Sequence, residues 1–279
     1  MARTYWKQVL DRGLQVPSDR PLDDLTAELT TMLGSPDPAL RDGTAYPALA
    51  TWIHRGVYDD LLAGLGDGMA AGLTVGLGES GTDTVFRRAF SVLVLATVIE
   101  RDTAEHLLPA DQVLRWGDRI VSWYLRERDL RGYVPGKGWA HAVAHGADAI
   151  ATLAASRHFT ATELTVLLDV LADRMLLEET PLVAGEPDRV ALAVLAVLRR
   201  NLVPTKVVEP WIRRLAAHAN PYRMRGDRDP YRETNNVQQL LRSLYLQLAV
   251  APDPPADKAD LVLVTVEALK ATNPFSLSR

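Results

Sequence analysis

The 279-residue chain contains no cysteine. Disulfides, a thiolate nucleophile and cysteine-ligated zinc are thereby excluded, so any bound metal has to be held by histidine and carboxylate side chains. Excess positive charge is also missing. The formal net charge is -4 and the isoelectric point about 5.9, which leaves no global field to draw in a phosphate backbone, so nucleic acid is not an expected partner. No uncharged run reaches the roughly 18 apolar residues of a membrane span. The first residues, Met1 to Lys7, lead into an amphipathic pattern instead of the apolar core of a secretory signal. These absences together predict a cytoplasmic protein that makes no membrane contact.

Several catalytic signatures are lacking as well. There is no Gly-x-Ser-x-Gly elbow, and no paired carboxylates stand out as a glycosidase site. The glycine-rich run Gly64 to Gly81 has no Gly-Lys-Ser/Thr ending and follows no strand pattern, so it is read as a flexible or closely packed helical turn, not a nucleotide loop. Strand-like alternation is absent throughout.

What is present is helical periodicity. Apolar residues make up 47% and charged residues 24% of the chain, the balance of an ordinary globular protein. Phe86, Phe90, Leu93, Val94 and Val98 recur at three- and four-residue spacing and mark a buried helix over 86–100. Similar patterns cover 22–33, 48–62 and 111–126, the last turning Trp116, Ile120 and Trp123 inward. Further helices are predicted over 139–155, 162–177, 188–200, 210–219, 236–249 and 257–272, with Thr160 or Thr162 ahead of Glu163 opening one of them. The breaks between these segments carry proline or glycine. About ten to twelve helices joined by short connections predict a single all-α domain over residues 1–279. Its expected architecture is stacked antiparallel helical hairpins, a HEAT- or armadillo-like α-solenoid, with an α/α toroid as the alternative.

The segment most suggestive of chemistry runs from Arg128 to Asp148. A Gly- and Pro-rich connection enters a helix bearing His141, His145 and Asp148, whose four- and three-residue spacing places them on one face. Two imidazoles and a carboxylate so arranged can hold a divalent cation and leave positions open for water and substrate. The bland reading is equally natural. Ala140, Ala142, Ala144, Gly146 and Ala147 make a slim helix suited to tight packing, with the histidines simply hydrogen-bonded. In the connection, Arg126, Arg128, Arg131 and Lys137 lie among Asp129, Tyr133 and Trp139, a mixture suited to an anionic or polar small molecule at a helix N-terminus.

A second polar cluster spans Arg223 to Asn236, including Arg225, Asp227, Arg228 and Asp229, and reads as a salt-bridge network or lid. Thr234 or Asn235 is the expected cap of the helix that follows. On that helix, Arg242 and Tyr245 are further candidate ligand contacts, Arg242 also being able to pair with a carboxylate of the first cluster. Asp188 is expected to cap the 188–200 helix or serve as its first-turn anion.

Along Gly132-Tyr133-Val134-Pro135, Gly138-Trp139-Ala140-His141-x3-His145-x2-Asp148 and Leu241-Arg242-Ser243-Leu244-Tyr245, the sequence resembles the bacterial domain of unknown function 2785 family. The resemblance covers about the middle and C-terminal two-thirds of the chain. It implies an all-helical, HEAT-like fold and carries no established catalytic residues, substrate or cofactor. Two readings of the function stay open. In one, His141, His145 and Asp148 bind a divalent metal and activate water in a hydrolase, while Arg131, Lys137 and Trp139 hold the substrate. In the other, a non-catalytic helical-repeat module binds a small molecule or a protein partner at the same place.

Overall fold

A computed structural model of the protein describes residues 2–177, 180–223, 227 and 229–277. Apart from one two-stranded hairpin, its regular elements are helical. The chain divides into two units, residues 1–149 and 150–279.

The first unit contains α1 (Ala2–Asp11), α2 (Leu22–Met32), α3 (Pro38–Leu40), α4 (Tyr46–His54), α5 (Leu62–Gly72), α6 (Thr84–Glu105) and α7 (Ala110–Arg126). The hairpin strands β1 (Tyr133–Val134) and β2 (Gly138–Trp139) follow, then α8 (Ala142–Ala155), within which the division between the units falls. The long apolar pattern on α6 is its core face. Phe86, Phe90, Val94 and Val98 are buried, and α6 packs against α4 and α5. Trp116, Ile120 and Trp123 of α7 point inward as their spacing requires. Trp116 is anchored by donating its indole N–H to Asp67 Oδ1 at 2.9 Å, an atom that also accepts from Gln112.

Two sequence expectations change here. The pattern over 48–62 is not one helix. α4 stops at His54 because Gly56 takes a left-handed conformation at φ 78°. The Gly56 N–H then bonds Ile53 O and the Val57 N–H bonds Trp52 O, the paired closing bonds of a Schellman motif. Conversely, the first part of the glycine-rich run, through Gly72, lies within the helix α5, and turns follow it. Its Gly66 leaves room for the Trp116 ring, since a Cβ there would lie 2.2 Å from Cζ2. Tight packing thus outweighs the roughly 1 kcal/mol by which glycine disfavours a helix. Gly68, one turn-fraction away, faces open space. Gly68→Ala is therefore expected to raise stability by about 0.5–1 kcal/mol, measurable as a shifted urea midpoint with unchanged slope.

The second unit contains α9 (Ala161–Leu176), α10 (Glu186–Arg199), α11 (Thr205–His218), α12 (Pro230–Val250), α13 (Lys258–Thr272) and α14 (Pro274–Leu277). α12 lies centrally, against α9, α10, α11 and α13. α9 opens with the expected capping box, the Thr160 N–H bonding Glu163 Oε2 at 2.9 Å. α11 starts before the predicted Pro210, which sits inside the helix. α12 begins at Pro230, so Thr234 and Asn235 lie within it and neither is its cap. That role belongs to Asp229, whose carboxylate accepts from the Tyr231 and Arg232 amides at 3.0 and 3.3 Å. Thr234 instead bonds Pro230 O from inside the first turns. Asp188 is a first-turn anion of α10, accepting from Ser243 Oγ at 2.5 Å. Arg225 and Arg228 of the second polar cluster lie outside the described residues. Among the described residues no helix is long and apolar enough to cross a membrane.

Candidate functional site

The conspicuous connection of the first unit folds into a tight hairpin. Tyr133 pairs with Trp139 and Val134 with Gly138, an antiparallel ladder too short to show as alternation in the sequence. Pro135 and Gly136 form the turn, closed by Lys137 N–H donating to Val134 O at 3.0 Å. Proline followed by a residue at φ 76° is the signature of a type II turn, which needs glycine at that second position. The Ala140 and His141 amides then return to Gly132 O and Arg131 O, which fixes the hairpin to its own base.

The charged residues expected to meet a ligand brace this hairpin. Arg131 forks onto Asp129 at 2.8 and 2.7 Å and donates to Thr82 O. Asp129 is fully buried and also accepts from the Gly81 amide, and its pairing raises the Arg131 pKa. Lys137 Nζ sits 2.7 and 2.8 Å from the two oxygens of Asp83. Upstream, Glu127 is buried and accepts from Arg88 Nε at 2.5 Å, Arg88 Nη2 at 2.8 Å, the Trp123 indole and the amides of Arg128 and Asp129.

A residue that escaped the sequence reading holds the hairpin from below. Arg41 opens a five-residue π-helical segment, Arg41–Ala45, and is completely buried. Its guanidinium donates to Ser35 O at 2.7 Å and across 96 positions of sequence to Lys137 O at 2.8 Å. It stacks over Phe86 and Phe90 at 4.1 and 4.9 Å. Asp42 Oδ2 lies 2.7 Å away as an ion pair, although the contact lacks hydrogen-bond directionality and leaves that oxygen without a bond. Burial lowers the Arg41 pKa and raises that of Asp42. The one available signal was the arginine in the break before α4; π-helical segments often accompany functional sites.

The histidines are placed differently from the predicted helical face. α8 starts at Ala142, and His141 precedes it in left-handed backbone at φ 51°, a region histidine tolerates better than most residues. Its carbonyl accepts the His145 amide at 2.9 Å, which starts the helix. The His141 ring stacks on Trp139 at 4.3 Å and meets the His145 ring at 5.8 Å, and His145 in turn packs edge-on to Phe90. His145 Nδ1 also lies 3.2 Å from Ala89 O. Among the described residues no three histidine or carboxylate side chains are grouped so as to hold a metal ion. A chain of ring contacts, edge-on except for Trp139 on His141, thus runs inward from the surface through Tyr133, Trp139, His141, His145 and the buried Phe90, with the half-buried Tyr46 beyond. Its outer members are exposed, Tyr133 by 59% and Trp139 by 42%. The other five tryptophans are at most 6% exposed.

The slim character of α8 has a packing cause in this unit. Ala140, Ala142, Ala144 and Ala147 are buried, and Gly146 lies against Tyr124 and Trp123. In the second unit, Arg242 donates to the amide oxygen of Asn273 at 3.2 Å, as α12 and α13 pack together. Tyr245 stands exposed on α12.

Residues 73–246, more than half of the chain, match the family model described as Protein of unknown function (DUF2785), and the chain belongs to this family. The match takes in the hairpin, α8 and most of α12 but leaves out Arg41. No curated protein and no solved structure matches the chain.

Proposed function

We propose that this DUF2785 member is a non-catalytic, cytoplasmic helical-repeat module of HEAT-like kind that binds a small molecule or a protein partner through the Arg131–Asp148 segment. One observation carries the reading. Tyr133 and Trp139 present exposed rings on a hairpin whose charged neighbours, Arg131 and Lys137, are already bound to Asp129 and Asp83. Exposed aromatic side chains on a braced turn offer a large contact area at little cost in conformational entropy. A flat or ring-bearing group stacking on Trp139 is the interaction this arrangement favours, with His141 fixing the indole from behind. Arg131 and Lys137 then shape the platform instead of contacting the ligand.

The test uses protein labelled with 5-fluorotryptophan, which yields one fluorine resonance for each of the six tryptophans. The Trp139 signal is identified by its absence in Trp139→Phe. On addition of cell extract, separated into low-molecular-mass and macromolecular fractions, the Trp139 resonance is expected to shift while the five buried ones stay. The active fraction tells a metabolite from a protein. A Trp139 resonance unmoved by both fractions overturns the reading, as does one equivalent of tightly held metal in protein purified without a histidine tag.

A further inference from the structure

A separate feature of the first unit is an open groove of about 560 Å³ lined by Met32, Ser35, Leu40, Val75 and Arg87 among others. Arg87 lies near the start of α6, and its stem runs over two glycines. A Cβ on Gly34 would stand 3.3 Å from Arg87 Cβ, and one on Gly72 would stand 3.1 Å from Nε. Bare backbone at both places gives the side chain its path into the groove. The guanidinium donates to Thr30 O. Among the described residues it has no carboxylate partner, whereas Arg88, Arg101 and Arg131 of the same unit each hold one. Burial lowers the Arg87 pKa, and no acidic neighbour opposes the effect.

A partly desolvated guanidinium without a counter-charge is costly, and its planar fork can hold a carboxylate through two parallel hydrogen bonds. On the same groove, Ser35 Oγ accepts the Asp37 amide at 3.1 Å, which leaves its hydroxyl hydrogen to donate. The remaining wall is apolar apart from Thr31, whose hydroxyl donates to Ala27 O at 2.9 Å: Met32 is buried, and Val75 is 45% exposed with nothing polar on its side chain to explain the position. We propose that this groove is a binding site for a small amphiphilic carboxylate, its head on Arg87 and Ser35 and its alkyl chain along Met32, Leu40 and Val75.

Calorimetric titration of the full chain with octanoate tests the proposal, with 1-octanol and acetate as probes lacking the head charge and the tail. Octanoate is expected to bind saturably at one site, with both controls at least about tenfold weaker. Arg87→Met keeps the length of the stem and removes the charge, and is expected to weaken octanoate about 10- to 100-fold, the usual worth of a charge-assisted hydrogen bond. Val75→Asp supplies an internal counter-ion at an exposed position and is expected to weaken it similarly, which decides the matter if Arg87→Met does not fold. Absence of saturable octanoate binding, octanol binding as tightly as octanoate, or a folded variant of either kind with wild-type affinity overturns the proposal.

Discussion

Glu127→Ala is expected to destabilise the protein by about 3–5 kcal/mol, the cost of stripping one partner from a buried ion pair. The two side chains are 0% and 2% exposed, so water cannot take over the lost interaction. Arg88 would keep its bonds to Val75 O, Gly76 O and Thr84 Oγ1 but lose both bonds to the carboxylate. The Trp123 indole and the Arg128 and Asp129 amides would lose their acceptor at the same time. Urea denaturation followed by circular dichroism measures the loss. A change below about 1 kcal/mol, the range of an exposed pair, would contradict the buried geometry. The double variant Arg88→Met, Glu127→Leu should recover part of the deficit, because no charge is then left unpaired. Since Glu127 also fastens the start of the 127–131 connection, Glu127→Ala should increase quenching of Trp139 fluorescence by acrylamide even where the protein stays folded.

A second large effect is expected at Gly146. Alanine there would gain about 1 kcal/mol in helix propensity. The added Cβ, however, would lie 2.3 and 2.6 Å from Tyr124 ring carbons and 3.1 Å from Trp123 Cζ3. Those rings are buried and cannot swing into solvent. Overpacking of this kind costs about 1–3 kcal/mol, and the contacts at Gly146 are tight enough to put it at the upper end, so Gly146→Ala should lower stability by up to about 2 kcal/mol net, opposite in sign to Gly68→Ala. The same substitution separates two meanings of the small residues on α8. If Gly146 bordered a cavity, alanine would be neutral or stabilising. A loss in the melting temperature of about 4–8 °C is the outcome that packing predicts.

The helices were readable wherever one apolar stripe faced one neighbour. α6 and α7 carry such stripes, and their inward residues follow from spacing alone. Boundaries were less readable, because a local device overrode the periodicity at each. Gly56 ended α4 through backbone conformation, Asp229 started α12 six residues ahead of its apolar run, and Trp116 turned a glycine-rich stretch into α5 by occupying the space that side chains would need.

The candidate site divides in the same way. Composition and local pattern alone determined that the protein is all-helical, that no thiol chemistry occurs in this chain, and that the Arg131–Asp148 segment stands apart, since each depends only on residue type or near-neighbour spacing. Only the tertiary structure decided which of that segment's side chains remain open. Whether Lys137 meets a ligand or Asp83, Arg131 a substrate or Asp129, and whether Arg41 reaches a carbonyl 96 positions away, depends on distances across the fold that no short window contains. Opposite charges pair where the fold brings them within reach, and the pairing matters most where one partner is buried, as Asp129 is. The exposed Trp139 and Tyr133 are what remained after the pairing was complete.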